Sequence, residues 1–498
     1  MIANSQSAPI NTDLDPPAVD FSKKWYTMLA VGMGIFLATI DGSIVNVALP
    51  SLTRSLETDF TTIQWVVLAY LLTVTTLMLS VGRLADIKGK KPLYTLGFAI
   101  FTVGSVLCGL SQNVYALIAF RVLQAFGAAM IMALGTAIIT EAFPASERGK
   151  ALGISGTIVS FGIVLGPTLG GLLLHAFSWH WIFFVNLPVG ILGILLVIRY
   201  VPNLRPSGEQ RFDFIGAGAL FASLLSLLVA LTLGQRIGFL DSRTIALFIS
   251  WLVFLVLFIQ IERRVTQPMI DLHLFENQRF SINLITGFLM FVALAGTLIL
   301  MPFYLENILG YDTRQVGLLL AVVPITLGII SPISGALSDR YGTRRIAVIG
   351  LFFATLGYLA LTTLNSQTSA LGYILRFFPI GLGIGIFQSP NNSDIMGSAP
   401  RHRLGIASGM LAVTRTLGQT TGIAVLGAIW SSSTLAQGGF SSPGGATTAP
   451  VAAQIAALQV TLLVTLGLVF IALSLGILAL ILERRRAAQP SINPANIP

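Results

Sequence analysis

Long apolar runs separated by short polar loops decide what this chain can become. Fourteen runs stand out, at about 25–49, 62–82, 93–110, 114–139, 150–173, 181–199, 214–233, 244–261, 281–303, 314–336, 346–364, 370–390, 404–430 and 457–482. A helix needs about 20 mostly apolar residues to cross a bilayer. In lipid each segment must satisfy its own backbone, and these runs are too long and too uniform for barrel strands. The chain is 54% hydrophobic and 10% charged, against roughly 25% charge in soluble domains. The predicted class is an all-α integral membrane protein with 14 transmembrane helices.

Composition also excludes functions. The net charge of +9 would suit nucleic-acid binding, but the basic residues lie in short loops between apolar runs, so no nucleic acid is expected. Cys108 is the only cysteine, and His175, His180, His273 and His402 include no HExxH pair, so neither a disulfide nor a metal site is expected. The first 22 residues are polar and carry Asp13, Asp15 and Asp20, unlike a cleavable signal peptide. There is no GxxxxGK[ST] phosphate loop and no nucleophile–base constellation. The chain reads as neither an ATPase nor another enzyme, and no cofactor is expected.

Orientation follows from lysine and arginine placement. With the N-terminus in the cytoplasm, 22 of the 29 basic residues fall inside, 4 outside (Arg54, Arg236, Arg243, Arg314) and 3 within spans (Arg121, Arg376, Arg415). Both termini are therefore expected in the cytoplasm, and the protein in the plasma (inner) membrane.

A ten-residue loop occurs twice, as GRLADIKGKK from Gly82 to Lys91 and GALSDRYGTR from Gly335 to Arg344. Each copy sits between apolar runs. The duplication implies a transporter built from two related halves. The expected plan is a cytoplasmic tail (1–24), a six-helix bundle (25–200), two inserted helices (214–262), a second six-helix bundle (280–482) and a cytoplasmic tail (483–498). The uncharged stretch 431–456 reads as a flexible outer loop.

A charge at mid-membrane costs on the order of 3 kcal/mol on insertion scales. Asp41 is the only carboxylate well inside a predicted span. It can hold a proton, or it can be a structural Asp bonded to Ser43 and Thr39; the first reading is preferred. Arg121 shares a helix face with Gln124 and serves as ion-pair partner or structural staple. Arg376 and Arg415 contact an anionic substrate or lock helices, with the structural role preferred. In the loops, Asp86 is expected at a helix start, where it can pair with Arg83, Lys88, Lys90 and Lys91 as a latch. Gly82, Gly89, Asp339 and Arg340 complete the two copies. The fifth span is rich in glycine, with Gly162, Gly166, Gly170, Gly171 and a kinking Pro167, and suits a helix that pivots or seals a cavity. Trp65, Tyr70, Trp179, Trp181, Phe183 and Phe184 read mostly as an interfacial belt.

These motifs resemble the major facilitator superfamily, and more narrowly its fourteen-helix drug:proton antiporter group of the EmrB/QacA type. The likeness rests on DGSIVNVALP (41–50), GRLADIKGKK (82–91), RVLQAFGAA (121–129), GPTLGG (166–171) and WIFFVNLPVG (181–190). Departures are Ser43 where Thr is usual, Ile87 at a usually basic position and Ala125 for a usual Gly. The resemblance implies export of lipophilic small molecules coupled to proton entry, by rocking of two bundles. It implies that Asp41 and Arg121 serve coupling, that the Asp86 loop gates and that the Gly166–Pro167 helix carries antiport character. Expected partners are substrate, protons and membrane lipid; a periplasmic adaptor stays open. The alternative is an uncoupled facilitator, or a lipid or metabolite exporter, on the same fold.

Overall fold

The computed structural model describes residues 21–144, 147–203, 213–265, 272–398, 404–438 and 445–488. They form helices and connecting turns, with no strand among them. The chain runs through α1 (Lys24–Ser55), α2 (Phe60–Ile63), α3 (Trp65–Lys88), α4 (Lys90–Gly109), α5 (Val114–Ala142), α6 (Arg148–Ala176), α7 (Trp181–Phe184) and α8 (Asn186–Tyr200). Next come α9 (Phe214–Ile237) and α10 (Ser242–Arg264). The remainder is α11 (Gln278–Phe303), α12 (Thr313–Leu320), α13 (Val322–Tyr341), α14 (Thr343–Leu361), α15 (Ala370–Ser398), α16 (Leu404–Gly438) and α17 (Val451–Ala488).

Thirteen helical segments are long and apolar enough to cross a membrane. The expected segment 404–430 does form a helix, the 35-residue α16. Its threonines, serines, Gln419 and Arg415 make it less apolar than the other thirteen, and it is not among them. Polar residues cap helices where the chain turns back. Asp59 accepts from the Thr62 amide, Asn113 from that of Ala116 and Asp213 from that of Gly216. Asp312 and Gln315 form a reciprocal capping box. Each cap satisfies a donor that the first helical turn leaves open.

The first half packs α1 on α5, α6 and α8, and α4 on α5 and α8. The second packs α14 on α13, α15 and α17, and α11 on α16 and α17. α9 pairs with α10 and also touches α3 and α16. α10 leaves Ile249, Leu252, Val253 and Val256 exposed, as expected where lipid is the solvent. Arg54 near the end of α1 meets Glu306 beyond the end of α11, so these two helices run parallel. Arg279 and Arg344 both pair with Glu483, which brings the starts of α11 and α14 to the far end of α17. Lys24, Lys90, Arg279, Arg344 and Glu483 thus lie at one end of the bundle, called here the basic end.

Several expectations need correction. Asp86 lies in the last turn of α3 rather than at a helix start, because α3 continues to Lys88 and α4 begins only at Lys90. The dipole there is unfavourable to an anion. The span expected at 314–336 does stand as one candidate span, Thr313–Ser338, with a local break at Ala321 between α12 and α13. The stretch 431–456 is mostly not a loop: α16 continues to Gly438, α17 starts at Val451, and a short 3-10 turn spans Gly445–Thr448. Of the residues expected in an aromatic belt, only Trp181 is exposed, and Phe184 is half-buried. Tyr70, Trp179 and Phe183 are buried, and the half-buried Trp65 donates its indole N–H to Thr232 at 3.1 Å. Residues 1–20, 204–212, 399–403 and 489–498, with His402 among them, lie outside the described residues.

Candidate functional site

Asp41 and Arg121 meet in the interior of the first half, both essentially inaccessible. Arg121 Nη1 donates to Asp41 Oδ2 at 2.5 Å and to Gln124 Oε1 at 2.7 Å. Its Nε donates to the Val66 carbonyl at 3.0 Å. Gln124 Nε2 and Asn186 Nδ2 both donate to Asp41 Oδ1, at 2.9 and 3.1 Å. The same two amides also donate to Ser105 Oγ, at 3.2 and 2.9 Å, and Ser105 donates to the Phe183 carbonyl at 2.9 Å. The guanidinium lies 4.1 Å from the centroid of the Tyr70 ring, a cation–π contact. The cluster therefore ties together α1, α3, α4, α5, α7 and α8.

Local sequence explains the convergence. Arg121 and Gln124 are three residues apart and share one face of α5. Gly104 on α4 lets α5 approach, because a Cβ there would lie 2.7 Å from Gln124 Cα. Gly127 packs the same two helices one turn on, where a Cβ would lie 2.4 Å from the Gly97 carbonyl oxygen. Ser43 and Thr39 do not bond Asp41, contrary to one of the readings above. Ser43 Oγ donates to backbone carbonyls, including that of Gly162 at 3.2 Å, and Thr39 Oγ1 to that of Ile35. Asp41 is also not a lone carboxylate, since Arg121 pairs with it.

Asn186, Ser105 and Tyr70 are members of this cluster that sequence reasoning did not assign. Asn186 was visible as a lone amide inside the apolar run WIFFVNLPVG. Ser105 carried no signal, since an isolated serine in a membrane helix is common. The Tyr70 hydroxyl is buried without a hydrogen-bond partner.

The glycine-rich helix α6 packs closely on α1 and reaches α12. A Cβ at Gly162, Gly166 or Gly170 would lie 3.0 Å from Thr39, 1.9 Å from Ser43 Oγ or 2.8 Å from Ile44, all on α1. At Gly171 it would reach the Thr313 carbonyl at 2.5 Å, and at Gly317 the Pro167 carbonyl at 2.4 Å. These last two contacts join the halves away from the basic end. The Arg54–Glu306 pair, 2.7 Å, lies there too, with Phe60 stacked edge-on against Phe303 and Trp430. A cleft of about 710 Å³ opens there, lined by Arg54, Asp59, Thr62, Tyr115, Asn307 and Thr447 among others.

At the basic end, the following charge pairs each stay inside one half. Lys24 pairs with Glu147, Lys90 with Glu141, and Arg344 with Asp394 and Glu483. Lys91 donates to the Ile198 carbonyl. Gly89 and Gly342 adopt the same left-handed conformation, φ +92° and +93°, which only glycine takes without strain. Arg340 is exposed and lies over Tyr341. The side chains of Arg83, Asp86 and Asp339, and the surroundings of Gly82, lie outside the described set. Arg376 bonds Thr363 and the Gly372 carbonyl on its own side of the bundle. Arg415 has no hydrogen-bond or ion-pair partner among the described residues. His180 stacks on Trp179 and meets Ser178, and no metal-holding cluster occurs among the described residues.

The Major Facilitator Superfamily model matches residues 31–423. The chain is 36% identical to the riboflavin transporter RibZ of Clostridioides difficile over 412 residues, 82% of this chain and 89% of that one. It is also 36% identical to the multidrug resistance protein Stp of Mycobacterium tuberculosis over 413 residues, 82% and 77% of the two chains. A crystal structure of a bacterial homologue of the human lysosomal transporter Spinster, inward-facing and unoccupied, superposes with a TM-score of 0.66 at 17% identity, covering 92% and 97%. The fold, the helical segments and this kinship agree: the chain is a multi-pass membrane transport protein, not an enzyme, and belongs to the major facilitator superfamily.

Proposed function

We propose that this transporter exports hydrophobic or amphipathic small molecules in exchange for protons, by rocking of its two halves. The observation that carries the reading is the buried Asp41–Arg121 pair, tied to Gln124, Asn186 and Ser105. Protonating Asp41 removes the attraction that holds Arg121 and frees one side of a network spanning six helices. A proton thereby changes the shape of the first half. Gly42, next to Asp41, faces open space, so the backbone beside the carboxylate is not packed over by another side chain. Relatives named for multidrug resistance support efflux. Basic-residue asymmetry supports a cytoplasmic basic end in the inner membrane, with 25–200 and 280–482 as the moving bodies and 214–262 inserted between them.

The seal away from the basic end belongs to the inward-open arm of such a cycle. The Arg54–Glu306 pair, the Gly171–Gly317 contact and the Phe60 cluster would part when the halves rock. A second reading, an uncoupled metabolite exporter, draws on the relative named a riboflavin transporter. Everted membrane vesicles separate the two. Under a respiration-generated gradient, wild type should concentrate a lipophilic fluorescent cation and Asp41→Asn should not. Uphill accumulation by wild type that survives complete collapse of the proton gradient would refute the coupling.

A further inference from the structure

The polar groups of α16 remain unused by the site above. Arg415 and Gln419 lie four residues apart, hence on one helix face. Both are half-buried, and neither has a hydrogen-bond or ion-pair partner among the described residues. The other arginine central to a span behaves differently, since Arg121 has a carboxylate, an amide, a carbonyl and an aromatic ring around it. A cation left without a partner inside a membrane protein marks a ligand path by default.

Register places this face between the halves. Gly418 and Gly422 seat α16 on α11, since Cβ atoms there would meet Phe291 and Val292 at 2.8 and 2.2 Å. Arg415 lies one turn nearer the basic end on the edge of that seam. α16 also packs against α3 of the first half, and a Cβ at Gly427, on the far side of Arg415 and Gln419 from the Gly418–Gly422 seam, would lie 2.9 Å from Gln64 Oε1. On α1, which packs against α11, Gly42 faces open space, and one turn further Asn46 Oδ1 is buried without a partner among the described residues.

We propose that Arg415 and Gln419 form an oxyanion-binding site between the halves, so that the preferred cargo carries a carboxylate or another delocalised negative oxygen beside its apolar body. The inference rests on the export reading and names its substrate class. The guanidinium supplies two parallel donors for such a group, and the Gln419 amide supplies a third. A free organic acid and an anionic lipid headgroup present the same chemistry.

The test uses two dyes of one ring system, the anion fluorescein and the cationic methyl ester of a rhodamine. Binding to the purified full-length protein is measured by anisotropy in nanodiscs of neutral or anionic phospholipid. Fluorescein should bind wild type in neutral lipid, and Arg415→Gln should weaken it about ten-fold or more, the loss of one charge-assisted hydrogen bond. Rhodamine ester binding should stay within about two-fold, and Arg415→Lys should recover part of the fluorescein affinity. Fluorescein displaced by anionic but not neutral phospholipid identifies the headgroup as occupant of the same oxyanion site; indifference to lipid charge identifies a free acid. Equal loss of both dyes, or no effect of Arg415→Gln on fluorescein, overturns the proposal. The two layers fail separately: uphill export by wild type that survives collapse of the proton gradient, with the Arg415 effect on fluorescein present, refutes the export reading alone, whereas gradient-dependent export with no Arg415 effect on fluorescein refutes the oxyanion site alone.

Discussion

Asp41→Asn is isosteric, yet the geometry makes it costly. The new Nδ2 would replace Oδ2, which lies 2.5 Å from Arg121 Nη1. Two donors would then face each other, and turning the amide only transfers the conflict. Oδ1 already receives Gln124 and Asn186, so either orientation opposes an amide to N–H groups. Breaking a buried pair by removing one partner costs about 3–5 kcal/mol. Some of that returns because Arg121 keeps the Val66 carbonyl, Gln124 and the Tyr70 face. A net loss of about 2–4 kcal/mol is the working figure.

Cys108 reports this without an introduced cysteine. It is the sole cysteine, fully buried, and its Sγ lies 3.8 Å from Gln124 Oε1. A thiol-reactive fluorophore therefore reads opening of this cluster during a temperature ramp. Asp41→Asn should lower the midpoint by several degrees. Asp41→Asn combined with Arg121→Gln should recover much of the loss, since no unpaired charge then stays buried. A midpoint unchanged in the single variant, or a double variant no better than the single, would refute the view that charge pairing holds this half together.

Further outcomes test other contacts. Gly166→Ala places a methyl 1.9 Å from Ser43 Oγ and should cost about 1–3 kcal/mol; adding Ser43→Gly should recover part of it in the same thermal assay. Gly317→Leu meets the Pro167 carbonyl at 2.4 Å, so it should hold the halves apart there and raise impermeant-thiol labelling of a Thr62→Cys reporter; unchanged labelling would remove this contact from the seal. Partial burial holds the His180 imidazole below its ordinary value, so the fold favours its neutral form. That contribution is present above the unfolded pKa of about 6.5 and is lost as pH falls through the lowered folded value. His180→Gln should therefore flatten the acid side of a midpoint-against-pH curve, and an unchanged curve would contradict this.

Much of the architecture was legible because membrane helices must be long, apolar and self-satisfied in their hydrogen bonds. The pairing of Arg121 with Gln124 was legible too, since helical spacing fixes it. What escaped were contacts between segments distant in sequence. Asn186 lies 145 residues from Asp41, and nothing local to either predicts their bond. Loop signatures misled at Asp86, where charged residues in a turn look like a helix start although α3 simply continues through them. Tyr70 and Phe183 misled for a related reason: an aromatic near the end of an apolar run can face lipid headgroups or a buried guanidinium, and only packing decides.

The placement of ion pairs ties these pieces into one argument about motion. Each half is laced internally at the basic end by Lys24–Glu147, Lys90–Glu141 and Arg344–Asp394, so each can tilt as a body. The cross-half pair Arg54–Glu306 is lopsided: Arg54 is 57% exposed and Glu306 only 5%. An exposed partner contributes little, about 0–1 kcal/mol, but a buried carboxylate stripped of its cation is expensive. Parting the halves at this end would bring water to Glu306 and cancel that expense. In the proposed rocking cycle, the pair would resist partial separation of the halves while opposing complete opening little. Glu306→Gln should accordingly raise labelling of the Thr62→Cys reporter without lowering the thermal midpoint, and a lowered midpoint with unchanged labelling would assign the pair to stability alone.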